Sequence, residues 1–485
     1  VSISNTLQNA VSGLNVTAKR IELVSSNVAN AATAGYARRE AVVSSAVLGA
    51  RGDGVRFVGV QRIVNPYLQN DLRFASGAAA GQDTRRMFLA SVSDFLGSPD
   101  DASSLTGRLT TLEASLSEAA ARPASDTRLA AVNSAISGVT SFLNAASAQV
   151  QTERLRADDD IATQISTLNT KLKQVAELNR DIRSFSGGDQ DASGLMDQRQ
   201  VLIDEISAIV PVRELPREHG QVALMTAGGL QLLDGRAVTI DFTSVSTITP
   251  DMTVAAGGLF LPTVNGEPLV GGIPGPRLGG GTLEALFDVR DNIATGAQAR
   301  LDGFARELVE RFQTPAADGT LALGDPGLFT DNGGPFDPLN EVGLAGRISL
   351  NPLVDPAQGG AMWRISAGLG ATSAANAGDS TQLLALTTVF TAASVPATGA
   401  FGGTSRRLAD LATEVISRQS GALANQETTV SYTQARADSL RSRFLSNGVD
   451  TDQEMQKLLE IEQAYAANAK VISTVDQLLQ QLMGI

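Results

Sequence analysis

Both ends of the chain carry an apolar row that returns every three or four residues and holds almost no charge. Near the N-terminus the row is Ile3, Leu7, Ala10, Leu14, Ile21, Val24 and Val28, with Thr17 its one polar step. Near the C-terminus it is Leu458, Ile461, Tyr465, Ile472, Val475, Leu479 and Leu482, with Asn468 the exception. A seven-residue apolar period lays one stripe along a helix and favours left-handed supercoiling of two such helices. At 1.5 Å per residue the rows are about 39 Å and 37 Å long, and these matched lengths predict that the first helix pairs with the last. Everything else is then looped out between the two ends. A chain organised that way reads as a repeating part of a larger assembly.

At 485 residues there is room for roughly two to four domains, each with its own core. Aromatic residues make up only 4%, so the cores must be built from Leu, Ile, Val and Ala, which favours slender helical packing. A net charge of −13 argues against broad attraction to nucleic acid or anionic lipid, and solubility accounts for it. The chain has no cysteine, which excludes a disulfide framework and any Cys-based metal or redox site. That suits a chain that must stay unfolded through a narrow channel. No stretch approaches the roughly 20 apolar residues that span a bilayer, so no membrane insertion is expected. The opening residues lack a basic n-region, a solid apolar core and a cleavage site. The expectation is a protein either cytoplasmic or exported, without a cleaved signal peptide, by a machine that reads another signal.

Along the chain, a first helix runs from about Ser4 to Asn30 and breaks at the small residues Ala31 to Gly35. A β-like run follows from Ala41 to Ile63, then a helix from Pro66 through Leu72 and a separate short one from Thr84 to Leu96. Leu105, Leu109, Leu112 and Leu116 mark another helix, and Asp126 caps a very long one reaching Phe185. Gly187-Gly188 ends it, and a helix from Leu195 stops at Ile209 before Pro211. Residues 212–280 alternate in short runs separated by Gly228-Gly229 and Asp234-Gly235, the pattern of hairpins. Helical spacing returns from Thr282 to Phe312, over 380–390 and from Thr404 to Asn447.

The fold expected is multidomain α+β, with four parts. Residues 1–40 and 448–485 form a terminal coiled-coil domain. Residues 41–211, 282–313 and 404–447 form a mainly helical, long-helix bundle domain. Residues 212–281 form a β-hairpin region. Residues 314–403 form a β-rich or irregular outer domain with a short helix at 380–390.

Candidate chemistry is thin. Asp189, Asp191, Ser193 and Asp197 match the early positions of a calcium-binding loop, but the twelfth position, where a bidentate Glu belongs, is Gln200. An inter-helix turn with solvated carboxylates is the better reading. Asp158-Asp159-Asp160 are adjacent, cannot converge on one ion, and read as a solvated helix face. Gly279-Gly280-Gly281 lacks the lysine of a phosphate cradle, leaving a flexible entry with Thr282 as N-cap. His219 is the only histidine, which excludes a His cluster or a His-based triad, and Trp363 reads as packing a small core. No catalytic, cofactor or metal residue is assigned, and no enzyme activity is expected.

The stretch Ser12-Gly13-Leu14, then Ser26-Asn27-Val28-Ala29-Asn30 through Gly35-Tyr36-Ala37-Arg38-Arg39, resembles the N-terminal motif of the axial proteins of the bacterial flagellum. In it Asn27, Asn30, Gly35 and Tyr36 are the motif residues. The tail from Met455 to Leu482, with Glu462-Gln463-Ala464-Tyr465 and Asn468 to Asp476, looks like the matching C-terminal motif. Two internal stretches, Leu195 to Glu205 and Gly280 to Asp291, are similar to segments of the hook-associated proteins of the hook–filament junction, and Gly378-Asp379-Ser380 fits them too. Residues 314–335 depart from that pattern, and the Gly/Pro-rich middle is short.

The resemblance implies a structural adaptor of the flagellum, exported by the flagellar type III route and joining hook to filament as a ring of subunits. It implies that the terminal helices form an inner coiled-coil layer, with Ile3, Leu7, Leu14, Ile21, Val24, Val28, Leu458, Ile461, Tyr465, Ile472, Val475, Leu479 and Leu482 at the subunit interface. The partners it implies are like subunits, the hook protein, the next hook-associated protein and a cytoplasmic export chaperone holding the C-terminal region. The Ala31–Gly35 break would then allow a hinge between layers, and Thr17 and Asn468 either fix register or are small polar residues simply tolerated on the rows. Two other readings are an exported adhesin or effector with a coiled-coil stalk, which predicts a stable soluble oligomer, and a flagellum-associated muramidase, which predicts cell-wall digestion.

Overall fold

The computed structural model describes residues 3–48, 51–186, 191–268 and 275–484. Its elements begin with α1 (Ile3–Ala29), the hairpin β1 (Arg38–Leu48) and β2 (Arg51–Ile63), then α2 (Pro66–Leu96), α3 (Leu105–Ala121), α4 (Asp126–Ser186) and α5 (Ser193–Ile209). A four-stranded antiparallel sheet follows: β3 (Val212–Pro216), β4 (Val222–Thr226), β5 (Gln231–Asp234) and β6 (Arg236–Ala237). A smaller sheet joins β7 (Ile240–Asp241), β8 (Thr263–Val264) and β9 (Glu267–Pro268). The chain continues through α6 (Gly275–Leu278), α7 (Gly281–Asp288), α8 (Ala294–Phe312), β10 (Phe329–Asp331), β11 (Ile348–Leu350), α9 (Arg364–Ala367) and α10 (Thr381–Thr391). Two long helices close it, α11 (Leu408–Ser446) and α12 (Thr451–Met483). Gly187, Gly188 and Asp189 of the sequence reading lie outside the described residues, as does the side chain of Leu482.

The main core is aliphatic, as the scarcity of aromatics requires. Leu105, Leu109, Leu112 and Leu116 are all buried, and so are Leu129, Val132, Ile136, Val139 and Leu143 on the facing side of α4. Further along α4, Ile161, Ile165, Leu168, Leu172 and Val175 continue the stripe. Each such side chain contributes about 1.5–3 kcal/mol when taken from water. One stretch of α4 is, by length and composition, apolar enough to cross a membrane, and 44% of its residues are buried inside the protein. That corrects the expectation that no such stretch exists.

Residues 66–96 form one helix, where the sequence reading had two. The stretch between the two expected helices is helical as well, and neighbouring backbones press against its glycines. A Cβ on Gly77 would sit 2.5 Å from the Ser207 carbonyl oxygen, and one on Gly81 would sit 2.7 Å from the Gly281 carbonyl oxygen. Small residues thus let α5 and α7 approach α2 closely, while Ala75 and Ala79 meet Ala437 of α11.

Asp158 is a second correction: it is buried, not solvated. Its carboxylate accepts bonds from the Arg290 guanidinium (2.6 Å) and the Val245 amide (2.8 Å). Arg290 reaches it from a single π-helical turn, residues 289–293, inserted between α7 and α8. Such a turn adds a residue without ending the helix, so the face presented to the core shifts there. Arg154, also buried, donates to the carbonyls of Arg290, Thr249 and Met252 and so fastens the 249–252 loop. Asp159 and Asp160 remain exposed.

Thr282 is not the N-cap of α7. Gly280 holds that position at φ 110°, and its amide donates to Glu284. In residues 314–403 the paired strands are the short ribbon β10–β11, and 3₁₀ turns and loops make up most of the rest. This segment does not stand apart from the helices. Phe312 of α8 packs edge-on to Phe329 and beside Phe390, inside the same continuous core. Trp363 is half-buried, with the Arg364 guanidinium 4.8 Å from its ring centre. His219 is exposed in a turn at φ 54°.

Candidate assembly interface

α1 and α12 pack against each other antiparallel. Of the residues assigned to the N-terminal row, Val24 is buried, and Ile3, Leu7, Leu14, Ile21 and Val28 are half-buried. On α12 Val475 is buried, Leu458, Ile461 and Ile472 are half-buried, and Tyr465 and Leu479 are exposed. The pair therefore covers only part of its apolar surface. α12 also carries apolar residues off the predicted row: Met455 is 48% exposed and Leu459 57% exposed, and Val471 and Leu478 are exposed as well. The spacing predicts a single stripe on this helix; the structure adds exposed apolar residues on both sides of it, Met455 and Leu459 on one flank and Val471 and Leu478 on the other.

Thr17 is buried, but its hydroxyl bonds the carbonyls of Gly13 and Leu14 in its own helix. Asn468 instead lies over Gly13, where a Cβ would come within 2.8 Å of its amide nitrogen. Gly13 is thus the opening that admits an amide side chain between the helices.

The motif that follows α1 builds a joint. Asn27 is buried, and its amide donates to Glu454 (2.8 Å) and to the Arg39 carbonyl (3.0 Å). Its side-chain oxygen accepts from the Arg39 amide and the Tyr36 hydroxyl, both at 2.9 Å. Asn30 donates back to the Ser26 carbonyl and accepts from Thr33, closing the turn after the helix. Gly35, at φ 76°, lies against α5, where a Cβ would be 2.5 Å from Val201 and 2.9 Å from the Asp197 carbonyl oxygen. Four motif residues thus join α1, the hairpin, α5 and α12. The break expected to be an open hinge is a closed, hydrogen-bonded turn.

Asp197, offered in the sequence reading as a calcium ligand, has a different task. It accepts from the guanidinium groups of Arg39 (2.6 Å) and Arg62 (2.9 Å) and from the Ala37 amide (3.3 Å). Arg62 also donates to Gln200, the residue at the loop's twelfth position. Both arginines come from the hairpin, so this cluster ties β1 and β2 to α5. Asp191 accepts from the Ser193 amide as the chain enters α5. Sequence reasoning missed Asp197, Arg62, Gly13 and Glu454 as a set, because their partners lie more than a hundred residues away. The sequence signal was that Gly13 and Asp197 lie in stretches quoted for their resemblance.

Glu454 is buried in the first turns of α12, where a carboxylate suits the positive end of the helix. Besides Asn27 it is met by Lys457 (3.1 Å) and Arg38 (3.8 Å). Among the described residues no cluster of three or more His, Asp or Glu could hold a metal ion. The arrangement is a pinned helix pair with apolar side chains left exposed on both flanks of α12.

Comparison with known proteins places three stretches of the chain. Residues 89–329 match the family model of the flagellar hook-associated protein FlgK helical domain. Residues 443–485 match the C-terminal model of the flagellar basal body rod FlgEFG proteins, and residues 7–36 match the flagella basal body rod protein model. Flagellar hook-associated protein 1 of Salmonella typhimurium is 26% identical over 332 residues, 67% of this chain and 59% of the relative. The Escherichia coli protein of that name gives the same identity and shares. The chain therefore spans 59% of the length of these curated relatives. Flagellar hook-associated protein 1 of Bacillus subtilis is 24% identical over 99% of this chain and 97% of its own length. The solved structure of the flagellar hook junction protein FlgK from Burkholderia pseudomallei matches with 21% identity and a TM-score of 0.45, covering 54% of this chain and 46% of that one.

Proposed function

We propose, from the premise that this chain belongs to the flagellar hook-associated protein 1 family, that it is a structural adaptor of the flagellum, joining hook to filament as one subunit of a ring. One observation carries the reading: the terminal helices pair, yet α12 keeps Met455, Leu459, Val471 and Leu478 in water. Aliphatic side chains left exposed on the flanks of a helix gain free energy when a neighbour covers them, and a neighbouring copy offers matching surface. In this reading Ile3, Leu7, Leu14, Ile21, Val24 and Val28 meet Leu458, Ile461, Ile472 and Val475 within the pair, and Tyr465 and Leu479 reach toward adjoining subunits. The hook protein contacts one side of the ring and the next hook-associated protein the other. Before assembly, when α12 is unpaired, an export chaperone takes its apolar row at Leu458, Tyr465, Ile472 and Leu479. The bundle of α2, α3, α4, α8 and α11 stands outside the inner layer, with residues 212–281 and 314–403 further out.

Removal of residues 452–485 tests the reading in a strain lacking the native gene. Bare hooks and flagellin shed into the medium are expected, seen by electron microscopy and by blotting the culture fluid. Normal filaments on normal hooks would contradict it.

A further inference from the structure

An aliphatic heptad row does not by itself choose a register, because a slip of seven residues rebuilds much the same apolar contact. The α1–α12 pair holds two contacts that do discriminate. Asn468 fills the space over Gly13, and Asn27 bonds Glu454. They lie two heptads apart on both helices, 13 to 27 and 454 to 468, and so define one antiparallel register. In that register the row Thr6, Gly13, Arg20, Asn27 faces the row Val475, Asn468, Ile461, Glu454.

A slip of one heptad removes both contacts. Moved one way, Asn27 faces Ile461, Asn468 faces Arg20 and Glu454 runs past the end of α1. Moved the other way, Arg20 faces Glu454, Asn468 faces Thr6, and Asn27 passes the start of α12. In both slips a polar group that is 1% exposed in the native pair loses its partner, and Gly13 no longer receives an amide. Buried polar groups of this kind specify register at a cost in stability.

We propose that Gly13 with Asn468 and Asn27 with Glu454 are the specificity-determining contacts of the terminal pair, fixing the single register in which α1 accepts α12. This rests on the adaptor reading only for its consequence: a common register in every copy gives the ring identical subunits. The contact with Glu454 also couples the register to the hairpin, because Asn27 simultaneously holds the Arg39 backbone at the start of β1. A slipped α12 would leave that joint incomplete.

The absence of cysteine makes the test direct. Spin labels at Ser25→Cys and Lys470→Cys, both exposed sites, report the distance between the helices in the full-length monomer by pulsed electron paramagnetic resonance. A heptad slip moves one helix along the other by about 10 Å. With the native residues at 27 and 454, one distance is expected. Asn27→Leu with Glu454→Leu should move about a third of the population or more to a second peak displaced by about 10 Å. Glu454→Met, which keeps the length of the side chain, should do so in part, and Glu454→Gln, which still accepts from Asn27, should keep one peak. A single unshifted peak in the Leu variant overturns the proposal, as does broadening into separated helices without the displaced peak. Because the readout is on the free monomer, normal filament growth by a register-slipped variant would leave the adaptor reading standing.

Discussion

Asp302 links the acid–base state of one side chain to stability. It is buried, and its carboxylate accepts from Gln298 and from the amides of Gly343 and Ala345. Burial outweighs those bonds and pushes its pKa up to about 6. The folded state thus disfavours the ionised form. The residue's contribution is complete below about pH 4 and fades as pH rises through about 6, a change of about 3 kcal/mol. Urea unfolding at several pH values should show this component in the native chain and not in Asp302→Asn. Arg290 is a second case. Replacing it with Met leaves Asp158 buried without its cation and should destabilise by about 3–5 kcal/mol, whereas Arg290→Met with Asp158→Leu should recover most of the loss. Thermal melts of the three proteins check both. Neither residue could be read from the sequence, where Asp158 sat in a run of three acids and its partner lay 132 positions away.

At the scale of elements, close packing at glycines makes opposite predictions for similar substitutions. Gly81→Ala in α2 should destabilise by about 1–3 kcal/mol, because the new methyl meets the Gly281 backbone. Gly138→Ala in α4 meets nothing closer than the end of Arg108 at 3.5 Å and should stabilise by about 0.5–1 kcal/mol. Calorimetry of the two variants settles the signs. The same glycines explain which helices were legible. α1, α3 and α4 announce themselves through apolar spacing, and their observed limits fall close to those expected from it. α2 was expected as two helices, and the glycines of its middle, Gly77 and Gly81, have their packing partners in the backbones of distant segments, which local spacing does not report. The π-turn at 289–293 was not anticipated, because the four residues that marked the helix, Leu283, Leu286, Val289 and Ile293, all lie within or before it and keep helical spacing up to it.

At the scale of the whole molecule, the two terminal rows were enough to predict that the ends meet, because heptad spacing survives without knowledge of what lies between. The joint that fixes them was only half legible. Asn27, Asn30, Gly35 and Tyr36 were marked by resemblance, but Glu454, Asp197 and Arg62 are brought to them by tertiary folding. Residues 314–403 were least readable: the segment has little periodicity, and its Phe329 and Phe390 pack on Phe312 of α8, which lies outside it. Asp197→Asn should loosen the hairpin from α5, seen as faster amide exchange across residues 38–63, with the core of α4 unaffected.

The central claim is that the α1–α12 pair is an incomplete core that neighbours finish. Hydrogen exchange of the purified monomer, compared with the same protein in assembled hook–filament junctions, measures it directly. In the monomer, amides of 3–29 and 451–483 should exchange at least about 100-fold faster than those of α3 and α4, and that difference should close on assembly. Equal protection of the terminal helices and the interior helices in the free monomer would contradict the account.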